Sequence, residues 1–570
     1  MAELLALFQQ GTWLLHFMGR LLIAVGALLS CIGLGARIVE RKIWDMCLGL
    51  GLVIFGGALL PFVALMGVQF SLILLPLGWF FLWQNHREII WFRRDSWCWF
   101  WFVFFGLLQF LFLLPQVDTD ALYYHLAIPK QMWIQNELVG GQLKPNGSRP
   151  LPFHLLLSQL FGMGGRQTCL HFCSLLSLGA MLSLGDRIRQ PSRWLIVLLS
   201  VGSYSFWEQS TVVANNIVVG FLLWLAWCVG QERQAQIGNL GLLLAGALAI
   251  KFTAVGVGFT IWLVARRNWR ERMIEAAVGA PLLLIWWFRN LLEGNHFLFP
   301  YRGWALEIPF VYLDKYGLGR EATAMLMLPW NILMHAKIDS LQFLGQLSPV
   351  FLLSPVLLWH WMRHRDWRGA SVILLGFGFW ARGPHWIRHL FPMLFVFLAM
   401  FAVALPWSSW VIRIAAVVLF SLGMQHNIHP FIEKKIALLE KREKLIPGYR
   451  AMHWLNQHSA ENEKVALFFA WSGAELDRVF VLGSVEDHTP VRHWFMVHGE
   501  DAILELQKQE ITYIVVGPHR FLPSAYPFLE KETFEQQFLK PLAEMERLLL
   551  RDTRLLVQLD GYDIYQINPR

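Results

Sequence analysis

The sequence predicts a polytopic α-helical membrane protein with a soluble α/β domain at its C-terminus. Of the 570 residues, 56% are hydrophobic and only 15% are charged, and the mean hydropathy is +0.45. Soluble domains carry about 25% charged residues, and apolar runs of about 20 residues predict membrane spans. Such runs recur as far as residue 428. We therefore assign residues 1–428 to a membrane domain and residues 429–570 to a soluble extracytoplasmic domain.

Basic residues outnumber acidic ones, and the formal net charge is +8 with a pI near 9.2. The lysines and arginines lie mainly in short loops between apolar runs, where they set the orientation of a membrane protein. No basic stripe with interleaved aromatic residues lies outside the apolar runs, which argues against nucleic-acid binding. The first apolar run has no cleavage site of small residues, so we predict a retained span.

The six cysteines lie in or beside apolar runs, and the polar tail has none. A disulfide framework in the tail is therefore excluded. Cys169 and Cys173 share a helical face at a spacing that also suits a metal site. We favour the interpretation that they are small packing residues.

Four spans are predicted before the first outer loop, near Trp13–Gly35, Trp44–Leu65, Gln69–Trp83 and Trp97–Pro115. Two of the loops between them carry basic residues and are predicted to be cytoplasmic. These residues are Arg37, Arg41 and Lys42 in one loop and Arg87, Arg93 and Arg94 in another. The stretch Asp118–His125, which follows the fourth span, is then predicted to lie on the outer face.

Later spans are predicted near residues 166–185, 194–210, 212–230, 273–292, 338–360, 369–381, 386–405 and 410–428. With these bounds every later basic cluster falls on the cytoplasmic side, but residues 239–264 begin and end there. We therefore predict two short helices, hinged near Lys251, that enter the membrane and return, because a lysine inside an apolar segment indicates a break facing a cavity. The total is about 12–14 membrane helices, including short re-entrant ones.

Three outer segments and a tail complete the prediction. The outer segments are the loop 117–165, the loop 293–337 with an interfacial helix near residues 321–334, and residues 382–389. In the tail, strands are predicted at 465–470, 479–482, 513–516 and 555–558. Helices are predicted at 431–444, from Pro447-Gly448 to about 458, at 500–508 and at 539–550. This alternation is typical of a small α/β domain, which we interpret as a lid or acceptor-docking domain.

The stretch Asp118–His125 holds the candidate chemistry. It places two carboxylates, a tyrosine pair and a histidine directly after an apolar run. Ionisable groups at such a position are costly unless they face water, a cation or a polar substrate. The sequence therefore predicts a functional site where the fourth span ends.

The chain resembles the GT-C class of membrane glycosyltransferases, and most closely its family 39-like bacterial members, in the superfamily of protein O-mannosyltransferases and aminoarabinose transferases. The matching motifs cover most of residues 97–520 in order and sidedness. They are Asp120–Leu126, Arg149–His154, Gly246–Thr253, Trp287–Asn290 with Gly294-Asn295 and Pro300-Tyr301, Arg388–Pro392 and Gln509–Val516. Two departures are that the first large loop follows the fourth span rather than the first, and that Val213–Asn216 lacks the acidic residue expected of near relatives.

The resemblance implies a polyprenyl-phosphate-linked sugar as donor, an active site at the outer leaflet of the bacterial cytoplasmic membrane, and an acidic residue in the first outer loop. Inversion at the anomeric carbon is also implied. Asp120 is the better match to that acidic residue, because Tyr124 follows it by four residues as in relatives. The acceptor implied is an envelope protein, lipid or glycan.

Sugar transfer requires a base for the incoming nucleophile, and a loop carboxylate with a tuned pKa suits this role. We predict Asp120 as the base. Asp118 either raises the pKa of Asp120 or joins it in holding a divalent cation, Mg²⁺ or Mn²⁺. The alternative is that one or both aspartates only cap the following helix.

Fixed cations stabilise a departing lipid phosphate. The candidates are Lys251, Arg388, Arg289, Arg149 and Arg382. For Arg289 and Arg382 the alternative is snorkelling to lipid headgroups. Tyr124, His125 and His154 are candidates for positioning substrate; the histidines also suit metal ligation or local hydrogen bonds.

Three functions fit these observations. The first is a membrane glycosyltransferase with a polyprenyl-phosphate sugar donor. The second is a transporter or flippase for a lipid-linked sugar, although the internal repeats common in transporters are not found in the sequence. The third is a non-catalytic envelope assembly protein, which requires the aspartate pair to be dispensable.

Overall fold

The structure is a computed structural model. It describes residues 13–58, 63, 66–113, 121–138, 152–188, 193–233, 235–292, 321–335, 343, 346–364, 367–382, 387–404, 409–429, 431–433, 436, 446–470, 472–482, 494–495, 497–518 and 531–568. Within these ranges the first part of the chain is a bundle of apolar helices and the last part is a small sheet with helices.

Among the described residues, the membrane domain begins with four helices. They are α1 (Trp13–Ala36), α2 (Trp44–Val53), α3 (Leu74–Asn85) and α4 (Ser96–Phe110). The predicted bounds of α1 and α4 agree with these to within a few residues at their N-terminal ends. The α2 helix continues into a π-helical turn, Ile54–Ala58, and a 3-10 turn, Val68–Ile73, leads into α3.

The helices from the first loop to the membrane hinge are α5 (Ala127–Gln135), α6 (Pro152–Arg187), α7 (Trp194–Val201), α8 (Tyr204–Thr211), α9 (Asn216–Gln231), α10 (Asn239–Ile250) and α11 (Val255–Val264). The later ones are α12 (Trp269–Leu292), α13 (Ala322–Leu326), α14 (Leu328–Met334), α15 (Pro355–His364), α16 (Trp367–Arg382), α17 (Phe391–Ala404) and α18 (Trp410–Gly423). Helices α13 and α14 occupy the segment predicted as an interfacial helix.

Within the described residues, three helices are by themselves long and apolar enough to cross a membrane: Leu14–Ala36, Pro152–Arg187 and Trp410–Glu433. Helices α8 and α9 pass the same test together but are bent by 105°. Most of the other apolar helices are short or interrupted, as α10 and α11 are. The described bundle is thus built largely from short and broken helices.

The first helices pack at backbone contact through glycines. A Cβ added to Gly51 of α2 would lie 1.7 Å from the carbonyl oxygen of Cys31 in α1. One added to Gly35 would lie 1.8 Å from the carbonyl oxygen of Cys47. Small residues at such positions allow membrane helices to approach closely. Van der Waals packing then stabilises the pair in lipid, where the hydrophobic effect does not drive helices together.

One predicted boundary is wrong. Residues 152–165 were predicted as part of the first outer loop, but they form the first half of α6, which runs from Pro152 to Arg187. The helix is interrupted at Gly165, whose φ is 71°. The polar residues His154, Ser158 and Gln159 break the apolar run in the sequence, yet all three are buried against protein.

The predicted hinge at Lys251 is confirmed as a break in the helix. Helix α10 ends at Ile250, Lys251 is extended with φ −155° and ψ 120°, and a 3-10 turn, Phe252–Ala254, leads into α11. A second break, between α8 and α9, lies close to the first, because Asn215 donates to the carbonyl oxygen of Ile250 at 3.4 Å. Two interrupted helices therefore meet inside the bundle.

The C-terminal domain contains a five-stranded sheet in the order β2-β1-β3-β5-β4. The strands are β1 (Lys464–Phe468), β2 (Val479–Leu482), β3 (Ile511–Val516), β4 (Thr553–Leu559) and β5 (Tyr562–Ile567). Strands β1, β2 and β3 are parallel, and β5 joins β3 and β4 antiparallel. Four strands match the predicted ones, and β5 was not predicted.

Helices cover both faces of the sheet. They are α19 (Tyr449–His458) on one face and α20 (Ala502–Lys508) and α22 (Lys540–Asp552) on the other, and α21 (Lys531–Phe534) precedes α22. Alternate residues of β1 face opposite sides: Ala466 and Phe468 pack with α20 and α22, whereas Val465 and Leu467 pack with α19. This period-2 pattern produces two small cores, one on each side of the sheet.

Candidate functional site

The candidate site begins directly after the predicted aspartates. Asp118 and Asp120 lie outside the described residues, and Arg149 does too. The chain resumes with a π-helical turn, Ala121–His125, followed at once by α5. Single π turns are frequent at functional sites in membrane and soluble proteins alike.

Tyr124, His125 and His154 form a compact group. The Nδ1 atom of His125 lies 3.0 Å from Nε2 of His154, within hydrogen-bond distance, and the two rings are stacked with centroids 5.2 Å apart. The Tyr124 ring lies 4.5 Å from the His125 ring and 4.6 Å from the His154 ring. His154 reaches this position because the first half of α6 is helical. The structure thus brings together all three residues predicted to position substrate.

A buried apolar cluster connects this group to three other parts of the membrane domain. Tyr124 packs on it, and its members are Val63, Val68, Ile128, Met132, Leu155, Ala249 and Trp286. Ala249 lies two residues before Lys251, and Trp286 lies three before Arg289. The first loop, the membrane hinge and the end of α12 therefore converge.

Lys251 lies at the hinge in a polar chain inside the bundle. Its Nζ donates to Oδ1 of Asn216 at 2.6 Å, and Nδ2 of Asn216 donates to Oε1 of Gln209 at 2.7 Å. Asn216 and Gln209 are both buried. A charge in such surroundings requires polar partners, and these amides supply them.

Arg289 is 8% exposed, and its guanidinium lies over the Trp286 ring at 5.5 Å from the centroid. Snorkelling places the charged group in the headgroup region, where it is exposed. The burial of Arg289 therefore favours a role inside the protein. Arg382 ends α16, and Arg388 lies in the 3-10 turn Ile387–Leu390; the described part of the chain includes only their backbone.

Metal ligation has no support from the described residues, among which no group of three or more His, Cys, Asp and Glu side chains is arranged to hold an ion. Cys169 and Cys173 are buried free thiols, in agreement with the packing interpretation. The cation proposed at Asp118 and Asp120 stays a prediction, since neither residue is described.

Several residues near the site were not predicted. The sequence indicates of Asn215 and Asn216 only that an acidic residue expected of near relatives is absent there. In the structure these two asparagines connect the two helix breaks. Lys130 and Gln131 of α5 contact the C-terminal domain. In the sequence they are two neighbouring polar residues in a short segment after the loop. Such a pair does not indicate which residues it contacts, and here the partners lie some 350 residues away.

The chain has the fold of the GT-C class of membrane glycosyltransferases. The structure of ArnT from Cupriavidus metallidurans bound to undecaprenyl phosphate matches it with a TM-score of 0.52 at 14% identity, over 84% of this chain and 100% of ArnT. The apo structure of the same ArnT matches with a TM-score of 0.49 at 14% identity, over 83% of this chain and 99% of ArnT. No protein-family profile and no curated protein matches the sequence. At this identity the likeness concerns the fold.

Proposed function

We propose that this protein is an integral-membrane glycosyltransferase that moves a sugar from a polyprenyl-phosphate-linked donor to an envelope acceptor. The fold supports the class, because the likeness to ArnT extends over the whole of that chain. The ArnT structure with undecaprenyl phosphate supports a polyprenyl phosphate as the lipid part of the donor. The acceptor is an envelope protein, lipid or glycan.

The observation that carries the proposal is the convergence at one place of the first loop, the membrane hinge and the end of α12. We assign Tyr124 and His125 of the loop, Lys251 of the hinge and Arg289 of α12 to this site, because they lie in or beside the segments that meet in the apolar cluster. Phosphate recognition needs fixed cations in surroundings of low dielectric, and sugar recognition needs polar and aromatic groups beside them. This arrangement supplies both kinds of group.

The reaction follows from these roles. Asp120 removes a proton from the acceptor hydroxyl or amine, whose oxygen or nitrogen then bonds to the anomeric carbon of the sugar. The bond between that carbon and the phosphate oxygen breaks, and its electron pair leaves with the polyprenyl phosphate. Lys251 and Arg289 stabilise the charge that develops on this phosphate, with Arg149, Arg382 and Arg388 as further candidates.

The proposed location is the bacterial cytoplasmic membrane, with the site and the C-terminal domain on the outer face. The positive-inside pattern supports an outer position for the first loop. The contacts between the C-terminal domain and α5 support placing that domain on the same side as the loop.

The test is single-turnover transfer from a panel of radiolabelled polyprenyl-phosphate sugars, with purified protein and host membrane extract. Wild-type protein is compared with Asp120→Asn and Asp118→Asn. We expect label to reach an acceptor with the wild type and the rate to fall by about 10²–10⁴ in Asp120→Asn, the usual contribution of a general base. Equal transfer by the wild type and Asp120→Asn would remove Asp120 from the mechanism. A slower rate in Asp118→Asn alone would then assign the base to Asp118.

Chelation separates the two proposed roles of Asp118. If Asp118 and Asp120 hold Mg²⁺ or Mn²⁺, a chelator abolishes transfer and the added ion restores it. If Asp118 only raises the pKa of Asp120, chelation has no effect.

Binding of donor without consumption of any donor would support the flippase function instead.

A further inference from the structure

A short segment of the C-terminal domain, residues 473–480, contacts the membrane domain at three places around the candidate site. The turn Gly473–Glu475 packs against the π turn Ala121–His125 and against α5. Helix α5 packs on β2. Ala127, the first residue of α5, is fully buried in the hydrophobic cluster of the C-terminal domain. Helix α5 is thus a shared element of both domains.

Gln131 is the central contact of α5. It is 1% exposed, its Nε2 donates to the carbonyl oxygen of Arg478 at 2.9 Å, and its Oε1 accepts from the amide of Phe480 at 3.1 Å. A carbonyl and the amide two residues later are the pair that a neighbouring strand uses in a β-ladder. Since β2 is an edge strand, Gln131 occupies the position of the missing neighbour.

Two ion pairs join the same segment to the membrane domain. Nζ of Lys130, which is 6% exposed, lies 2.6 Å from Oδ1 of Asp477 and 3.0 Å from the carbonyl oxygen of Ala474. Arg166, the residue after the Gly165 break, lies 2.5 Å from the carboxylate of Glu475. The side chain of Glu475 is 11% exposed, so this pair is only weakly screened by water.

The segment 473–480 is itself held rigidly by α19. Asn456 donates to the carbonyl oxygen of Glu475 at 2.9 Å and accepts from the amide of Asp477 at 2.7 Å. Arg478 donates to the carbonyl oxygens of Asn456 and Ser459 at 2.8 and 2.7 Å. Contacts to α5 therefore join the loop to a fixed support.

We infer that residues 473–480 position the turn Ala121–His125, which directly follows the proposed base Asp120, with Gln131 and Glu475 as positioning residues. The inference rests on the proposed function. The segment packs directly on Ala121–His125, which follows Asp120 without a break in the chain. A displacement of about 1 Å at the reacting groups lowers turnover by about a hundredfold, so a fixed loop is a requirement for the chemistry.

The test uses full-length protein with two single variants, Gln131→Met and Glu475→Gln. Gln131→Met keeps the volume of the side chain and removes both hydrogen bonds to β2. Glu475→Gln removes the charge that pairs with Arg166. The control is Gln457→Met, because Gln457 is exposed and bonds to His453 on its own helix.

Two measurements are made on each variant. Hydrogen exchange of residues 121–135 needs no substrate, and we expect it to rise about tenfold or more in both variants but not in the control. In transfer assays we expect kcat to fall about tenfold or more, because the base is displaced, with a smaller change in the KM for donor, because Lys251 and Arg289 lie outside the loosened segment. A role in stability alone would raise exchange throughout the C-terminal domain and leave kcat unchanged.

Unchanged exchange at residues 121–135, or raised exchange with unchanged kcat, would overturn the inference. Failure of the proposed function has a different signature. In that case the wild type transfers no sugar from any donor, and exchange alone then decides whether the segment fixes the loop.

Discussion

At the scale of single residues, Lys251 carries the clearest prediction. Its ammonium is bonded to Asn216 at the meeting point of two broken helices. We expect Lys251→Met to lower single-turnover transfer by about a hundredfold or more, since it removes one fixed donor for the departing phosphate. Lys508→Met, at an exposed lysine of the C-terminal domain, is the control. Equal transfer rates for the two variants would remove Lys251 from the site.

Tyr562 carries a prediction about alkaline pH. Its side chain is 2% exposed, and its hydroxyl has no hydrogen-bond partner among the described residues. Burial, followed by the nearby Asp560 carboxylate, raises the pKa of Tyr562 to about 12. An unfolded tyrosine has a pKa of about 10, so the folded state retains a proton that the unfolded state loses.

The stabilisation from this pKa shift is complete below about pH 10 and is lost as the pH rises to about 12; it is about 2–3 kcal/mol. We expect urea unfolding of the C-terminal domain in the full-length protein to show this loss between about pH 9 and 12. Tyr562→Phe removes the titrating group and should flatten that part of the profile. An unchanged alkaline slope in the variant would assign the loss to another group.

At the scale of single residues, the sequence predicted the helix break at Lys251. Lys251 is recognisable because a lysine interrupts an apolar run. Its partner Asn216, and Gln209 that accepts from Asn216, are not recognisable, because they lie on other helices that are joined by the bend between α8 and α9. A pattern within one helix contains no information about such a bend.

At the scale of elements, the break in α6 is a backbone feature with a measurable cost. Gly165 has φ 71°, a region that residues with a Cβ rarely adopt, although the space around it is open. We expect Gly165→Ala to lower the free energy of unfolding by about 1 kcal/mol. Gly19→Ala in α1 is the matched control, since that position is also open and has no positive φ.

The control should be neutral or slightly stabilising, because alanine is the better helix former. Thermal unfolding of both variants in the same detergent measures the difference. Equal midpoints would show that α6 is continuous at residue 165 in the membrane.

Element boundaries were predicted well where helices face lipid and poorly where they face protein. Helix α1 exposes apolar side chains such as Leu15 and Leu22, and its apolar run defines it. The first half of α6 buries polar side chains within the bundle, so hydropathy underestimates its length. Strand β5 was missed although Tyr562–Ile567 is rich in tyrosine and isoleucine and partly alternates apolar with polar residues, which is typical of a half-buried strand.

At the scale of the whole molecule, the two domains are joined by more than the connecting chain. The interface contains the buried Ala127 and Gln131 as well as the ion pairs of Lys130 and Arg166. We expect the C-terminal domain to stay bound after the chain is cut at a protease site inserted between residues 433 and 446.

Size-exclusion chromatography after the cut measures this association. Separation of the two parts at about 0.15 M salt would contradict the prediction, because the buried hydrogen bonds should resist screening. Gln131→Met should weaken the association of the cut protein, whereas Gln457→Met should not.

Composition and charge pattern were sufficient for the class of the molecule, a helical membrane domain followed by an α/β domain. They were insufficient for its assembly. Contacts such as that between Gln131 and β2 join residues that share no local pattern, so only the three-dimensional structure reveals that the soluble sheet is completed by the membrane domain.

The covering of β2 by α5 has a consequence for biosynthesis. Gln131 is made 347 residues before its partner Arg478. At about 5–20 residues per second, α5 waits roughly 20–70 s for the strand that it covers. Until then the side-chain amide of Gln131 has no strand to pair with. Once the sheet is made, the edge of β2 stays open until the sheet reaches α5 at the membrane. The newly made protein is therefore most vulnerable to mispairing and proteolysis in the interval just before the last domain docks.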